Sequence, residues 1–348
     1  MNELLSILQQ EYNDHPDMEP QDAVKLLYQH VCGPGHLISD PEQALARLED
    51  ELDRTPASAD APLFQSVGGG LCRLNLAPCK ALGLSASTLC RLFILTAQEF
   101  TPRHELLADS LPLILQLGFD TAAARTYLDT YLSQGCPMVR HSQLYRDAYA
   151  PAYRLVSEYY VRILPVLCAI DNAQRSHTRL RLAVDGPCAS GKSTLGAALG
   201  RIYQCPLVHM DDFFLRPEQR TPERLAQPGG NVDSERFRRD VLDPLVHDRS
   251  VRYRPWLCQQ QCFGPEITVP PSPLTVVEGC YCLREDLRDH FHLRIWAEAD
   301  WSARRTRLLA RGGKECLAQF ESRWIVLENA YFDAQQVKNC CHIQLDLS

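Results

Sequence analysis

The chemistry easiest to read in this chain lies in nine consecutive residues, Gly186-Pro187-Cys188-Ala189-Ser190-Gly191-Lys192-Ser193-Thr194. They match G-x-x-x-x-G-K-S in full, directly after the apolar run Leu180 to Val184 and before Leu195, Leu199 and Ile202 at helical spacing. Gly186 and Gly191 let the backbone turn, so that successive amides from Ala189 to Thr194 can aim at phosphate oxygens. A helix beginning here adds partial positive charge, Lys192 adds a full one, and the Ser193 hydroxyl suits the shell of a Mg²⁺ ion. A nucleotide, ATP accompanied by Mg²⁺, is the expected ligand of Gly186, Ala189, Ser190, Gly191, Lys192, Ser193 and Thr194.

Acids follow two further apolar runs. Leu207-Val208-His209-Met210 leads into Asp211-Asp212-Phe213-Phe214, and Leu274-Thr275-Val276-Val277 leads into Glu278-Gly279. Phosphoryl transfer to an alcohol requires a carboxylate that orients the hydroxyl and accepts its proton, together with acidic metal ligands. Asp211, nearer the strand end, is the expected base, and Ser193, Asp211 and Glu278 are the expected metal ligands. Turn capping and a helix N-cap remain the plain structural alternatives for these acids. Arg304, Arg307 and Arg311 fall at i, i+3 and i+7 and are followed by Gly312-Gly313, the pattern of an arginine lid over transferring phosphates or of a solvated helix face.

These residues must be positioned by a scaffold, and the chain changes its pattern near its middle. Residues 1–172 read as helices, with apolar spacings such as Val24, Leu27, Tyr28 and Val31 and turns at Gly33-Pro34-Gly35 and Gly68-Gly69-Gly70. From 179 to 348, short apolar runs, including His292 to Trp296 and His342 to Leu347, alternate with amphipathic segments, which argues for crossover units and a parallel sheet. Ligands of such folds sit beyond the carboxyl ends of the strands. The expected architecture is an α/β P-loop NTPase with a doubly wound parallel sheet, preceded by an all-α N-terminal domain.

In their order, Gly186 to Thr194, His209 to Phe214, Pro228-Gly229-Gly230-Asn231-Val232-Asp233, Val277-Glu278-Gly279 and the arginine helix resemble the uridine kinase, phosphoribulokinase and pantothenate kinase group of P-loop kinases. The likeness spans about residues 179–348 and is nearest to uridine kinase-like proteins. It implies a phosphotransferase acting on an alcohol group, with Asp211 matching the family's base and Asp233, Tyr253 and Arg254 implicated in binding the acceptor. Asp212 and Phe214 stand where uridine kinases usually have serine and tyrosine, and a glycine-rich segment replaces the uridine-recognition one. The acceptor is left open among nucleosides, sugars and vitamins.

Composition bounds the rest. With 348 residues, 45% apolar and 23% charged, the chain has room for about two globular domains. No apolar run approaches the ~18 residues that cross a bilayer, and the first residues lack the pattern of a secretory signal, so a cytoplasmic location without membrane contact is expected. Net charge is −7 with the basic residues dispersed, which argues against nucleic acid. Fifteen cysteines without paired C-x-x-C knuckles are expected to be reduced and mostly buried. The partner expected is a small-molecule acceptor, with self-association into a homo-oligomer left open.

No complete catalytic motif marks the first half. Its notable residues are His36, Arg73, His141 and Arg154, and the series Tyr145, Tyr149, Tyr153, whose spacing predicts one helix face. It could complete the acceptor site, carry a second activity fused to the kinase, or make the chain an ATP-dependent regulator with no acceptor.

Overall fold

A computed structural model describes residues 2–35 and 40–348, so His36 lies outside the described residues. The chain divides into two compact units, Met1–Leu164 and Pro165–Ser348.

In the first unit the main helices are α1 (Asn2–Asp14), α2 (Pro20–Cys32), α3 (Pro41–Arg54), α4 (Ala86–Glu99), α5 (Thr121–Ser133) and α6 (Gln143–Tyr149). Leu8, Val24, Leu27, Ile114 and Leu128 meet in its main apolar core. Asp40 starts α3 by accepting the Glu42 and Gln43 amides.

The all-α expectation is corrected by a three-stranded antiparallel sheet, β1 (Phe64–Gly68), β2 (Leu71–Asn75) and β3 (Tyr153–Ser157), in the order β1-β2-β3. Gly68-Gly69-Gly70 is the tip of a hairpin, all three residues at positive φ, rather than a break between helices. The predicted helix face of Tyr145, Tyr149 and Tyr153 is likewise split. Helix α6 ends at Tyr149, Ala150 takes a left-handed conformation before Pro151, and Tyr153 opens β3.

Arg73, on the central strand β2, is 1% exposed and bonded to Glu11 of α1, with Nε donating to Gln29 Oε1 at 2.8 Å. Its guanidinium lies 5.1 Å from the centre of the Tyr153 ring. Burial opposes ionisation of Glu11, but Arg73 overrides it and holds the carboxyl below its ordinary value. Arg73→Met leaves that charge buried and unpaired, and a loss of about 3–5 kcal/mol is expected in denaturant unfolding at neutral pH. Because burial makes the unpaired Glu11 of the variant take up its proton above 4.5, while the parent's stays charged below it, the gap to the parent should begin to narrow as pH falls toward 4.5 and go on closing below it. An unchanged midpoint at neutral pH would contradict the role given to this pair.

The second unit is built on five parallel strands, β4 (Leu180–Asp185), β5 (Leu207–His209), β6 (Leu274–Glu278), β7 (Leu293–Glu298) and β8 (Ile343–Asp346), ordered β8-β7-β4-β6-β5. Near-continuous Val, Ile and Leu runs are what strands buried on both faces require. The chain leaves β4 toward β6 and β5 on one side and later returns to place β7 and β8 on the other. This reversal opens a crevice at the carboxyl end of β4. Helices α7 (Lys192–Tyr203), α8 (Trp301–Gln319) and α9 (Ile325–Gln335) accompany the sheet. Helix α8 is interrupted at Gly312 and Gly313, the latter at φ 68°. The helix Leu164–Gln174 also packs here, Leu167 O and Asp171 both accepting the Tyr203 hydroxyl.

All fifteen cysteines are free thiols. Among the described residues no helix is long and apolar enough to cross a membrane.

Candidate functional site

The glycine-lysine-serine run forms the loop between β4 and α7. Gly186, at φ 143°, passes so close to β7 that an added Cβ would lie 2.0 Å from Ala297 O, so a side chain there would force loop and strand apart. Asp185, fully buried at the end of β4, anchors the turn by accepting the Gly186 amide at 2.7 Å, the Leu283 amide at 3.0 Å and the Tyr331 hydroxyl at 2.9 Å. Burial pushes its carboxyl up to about 6. Lys192 opens α7, and its Nζ donates to Gly186 O and Pro187 O, both at 2.8 Å. Burial opposes the Lys192 charge, yet the carboxylates of Glu328, Asp185 and Glu278 hold its proton more firmly than usual.

Parallel register brings the ends of β4, β5 and β6 to one edge, with Glu278 opposite both Val184 and His209. Glu278 is buried, its Oε2 accepting from Ser193 Oγ at 3.1 Å and its Oε1 bonded to His209 Nδ1. That contact raises the His209 imidazole above its ordinary value. Asp211 follows in a short 3-10 turn, Met210–Phe213, anchored by the fully buried Met210 and Phe213.

The two adjacent aspartates differ in their surroundings. Asp212 accepts the Tyr253 hydroxyl at 2.9 Å, and its backbone carbonyl accepts from Arg236 at 2.7 Å. Asp211 has no hydrogen bond to any described residue and opens into the cavity. Although accessible there, its carboxyl is raised above the ordinary value by desolvation, which Lys192 opposes.

The cavity has a volume of about 400 Å³. It brings together Lys192, Ser193, Asp211, Glu278 and Arg311, with Phe214, Leu215, Leu225 and Trp324 as an apolar wall. Of Arg304, Arg307 and Arg311 on α8, only Arg311 lines it. Arg304 Nε donates to Cys188 O at 2.8 Å, and Arg307 donates to Ala189 O, Ser190 O and Leu347 O, so both brace the outer side of the loop.

Asp233, Tyr253 and Arg254 lie off the cavity lining. The Asp233 carboxylate caps Ser234–Phe237 and accepts from Gln219 Nε2 at 2.8 Å. Tyr253 is committed to Asp212, and Arg254 donates to Gly264 O and Phe263 O. These contacts commit the Asp233 carboxylate, the Tyr253 hydroxyl and two Arg254 nitrogens to neighbouring segments rather than to the cavity.

Other side chains reach it without a motif to announce them. Asn231 Nδ2 and Tyr281 OH are buried in the cavity wall, with no hydrogen-bond partner of good geometry beyond the interaction of the two side chains with each other. Tyr281 holds φ 78°, a costly conformation for a bulky residue and one that collects at functional sites. Arg220, Arg323 and Glu328 also line the cavity, Glu328 Oε2 accepting the Cys188 amide of the loop at 2.9 Å. The nearest sequence signal was the glycine-rich stretch containing Asn231; the others have none.

No family model matches the sequence, and no curated protein matches it. Solved structures do. A possible uridine kinase from Bacillus stearothermophilus aligns over 54% of this chain and 100% of that chain, with 20% identity and a TM-score of 0.42. D-glycerate 3-kinase from Cryptococcus neoformans aligns over 46% of this chain and 83% of its own, with 16% identity and a TM-score of 0.36.

Proposed function

We propose that the second unit transfers the γ-phosphate of ATP to a hydroxyl group of a small organic molecule. The observation that carries this reading is one cavity lined by the loop residues Lys192 and Ser193, the buried Glu278, and Asp211 with its carboxylate unbonded. Loop amides and the α7 N-terminus bind the phosphates, and Lys192, drawn from its loop carbonyls, sets a positive charge against them. Asp211 accepts the proton of the acceptor hydroxyl, a role its raised pKa favours and for which Asp212, already bonded, is less free.

The donor set suits Mg²⁺. Ser193 Oγ and Glu278 Oε2 are hard oxygens on one edge, and among the described residues no group of three or more His, Cys, Asp and Glu forms a cage. An ion that keeps several waters and takes phosphate oxygens fits such a partial shell. Ser193 and Glu278 would hold it directly or through water, with Asp211 beside them, and it would supply charge neutralisation for the phosphates.

The acceptor meets the Asn231 amide and Tyr281 hydroxyl, buried groups with bonding capacity to spare and suited to a polyhydroxylated or oxygen-rich molecule, while Phe214 and Trp324 offer an apolar face. Asp233, Tyr253 and Arg254 support this site by holding the segments behind it. Nucleosides, sugars, vitamins and hydroxy acids are the acceptor classes to screen. The test is ADP release by the purified chain with ATP, Mg²⁺ and each candidate, against the rate with no acceptor. Stimulation by at least one class is expected, and none by any class would favour an ATP-dependent regulator.

The arginines of α8 divide by role. Arg311→Ala is expected to lower kcat by about 10²-fold with little change in KM for ATP, since its charge faces the cavity where equatorial oxygens gain charge. Arg304→Ala and Arg307→Ala loosen the loop and are expected to raise KM for ATP, with kcat changed only a few-fold. The opposite pattern in steady-state kinetics would contradict the division.

A further inference from the structure

The first unit holds a cavity of its own, of about 310 Å³, framed by α2, α3, α4 and β3. Its floor is a fixed polar chain. Asp22 Oδ1 accepts the His141 ring at Nδ1, 2.8 Å away, and the Ser142 amide at 2.9 Å. Burial lowers the His141 pKa to about 4, so the ring is neutral, its proton held on Nδ1 by Asp22. Nε2 then accepts from the Tyr153 hydroxyl at 2.7 Å, and that hydroxyl in turn accepts from Gln29 Nε2 at 3.1 Å. The nearest acid is thus satisfied by donors and its histidine partner is uncharged.

The cations around this floor are not balanced in the same way. Lys25, one helical turn before Gln29, is half-buried and has no hydrogen bond or ion pair with any described residue. Burial lowers its pKa to about 8, and the charges of Arg73 and Arg140 add to the effect more than the Asp22 carboxylate opposes it. Arg154 gives one nitrogen to Glu51 at 2.7 Å and another to the Tyr153 carbonyl. Arg47 is exposed and reaches only Gln43, at 3.5 Å. A half-buried ammonium facing other cations is unfavourable in the empty protein, and such groups collect where a ligand supplies the missing charge.

We infer that this cavity binds a small organic phosphate monoester, its phosphate held by Lys25, Arg47 and Arg154 and its organic part against Phe93 and Leu155. Three cations against the Glu51 and Asp22 carboxylates leave an excess of positive charge for an anion to meet, and a phosphate monoester offers three strong acceptor oxygens that separate cations can share. Arginine forks and a lysine point charge match phosphate oxygens, while the Phe93 and Leu155 side chains give the remainder an apolar surface. The site shares no residue with the glycine-rich loop and stands whether or not the second unit is a kinase.

The chain has five lysines, so the full-length protein labelled with ¹³C at lysine Cε gives five signals, and loss of one in Lys25→Met identifies Lys25. Inorganic phosphate, glycerol phosphate and succinate are titrated separately, with Lys192 reporting any binding at the loop. The expected result is a saturable shift of the Lys25 signal with glycerol phosphate and a titration midpoint that rises from about 8 when it is bound. Arg47→Gln, at an exposed position, should weaken this binding about tenfold, the loss expected for one charge-assisted bond. A Lys25 signal unmoved by both phosphate probes would overturn the site. Succinate bound as tightly as glycerol phosphate would overturn the choice of a phosphate.

Discussion

Lys192→Ala is expected to reduce ATP turnover to background while the protein remains folded. The side chain is the one full positive charge carried by the loop, and in the empty protein it is already buried against Gly186 O and Pro187 O. Phosphates entering the loop exchange those neutral carbonyls for charged oxygens, an interaction far stronger inside a cavity than in water. Folding depends on it less. The two carbonyls belong to a loop beside a cavity large enough for water, so losing the ammonium should cost no more than about 1–3 kcal/mol. Thermal unfolding followed by circular dichroism checks the fold, and ADP release checks turnover. Normal turnover by a folded Lys192→Ala protein would remove the basis for assigning the loop to ATP.

Asp211→Asn should leave Mg-ATP binding in place and lower acceptor phosphorylation by about 10²–10⁴-fold, the range for removing a general base at constant volume. Desolvation raises the Asp211 carboxyl, so the parent should also lose rate on the acid side at a pH above that of an ordinary aspartate. Asp212→Asn should be milder in rate, since Asp212 is tied to Tyr253 and its neighbouring carbonyl to Arg236. A full rate for Asp211→Asn together with a collapse for Asp212→Asn would reverse the assignment within the pair.

The parallel strands of the second unit and the placement of its loop were open to reading because their signals are local. Strands buried on both faces are short apolar runs, and the loop's spacing follows from what a backbone needs in order to wrap a phosphate. Asp211 and Glu278 were readable because each closes a short apolar run, Glu278 as the last residue of β6 and Asp211 just beyond β5, and parallel register carries strand ends to one edge. The small sheet of the first unit was hidden for the opposite reason. Its strands are five residues long, Arg73 and Asn75 interrupt the apolar pattern of β2, and β3 arrives only after α4, α5 and α6 have intervened. Tyr153 matched the helical spacing of Tyr145 and Tyr149, yet Ala150 and Pro151 end that helix.

Contacts between distant segments were the least legible. Helical spacing put Arg304, Arg307 and Arg311 on one face but could not say that two of them would spend their donors on loop carbonyls. Asn231, Tyr281 and Glu328 become cavity residues only when segments far apart in sequence converge on the end of β4. The commitment of Asp233, Tyr253 and Arg254 to neighbouring groups depends equally on folded contacts that no spacing encodes.

If the phosphate leaves ATP for an organic hydroxyl, a label in the γ-phosphate must follow it there. Purified protein is incubated with γ-labelled ATP, Mg²⁺ and the acceptor that most stimulates ADP release, and the products are separated into organic phosphate and inorganic phosphate. Label is expected in an organic phosphate in step with ADP release, lost together with it in Lys192→Ala and strongly reduced in Asp211→Asn. Label found only in inorganic phosphate, at a rate indifferent to every acceptor and to Asp211→Asn, would contradict that transfer.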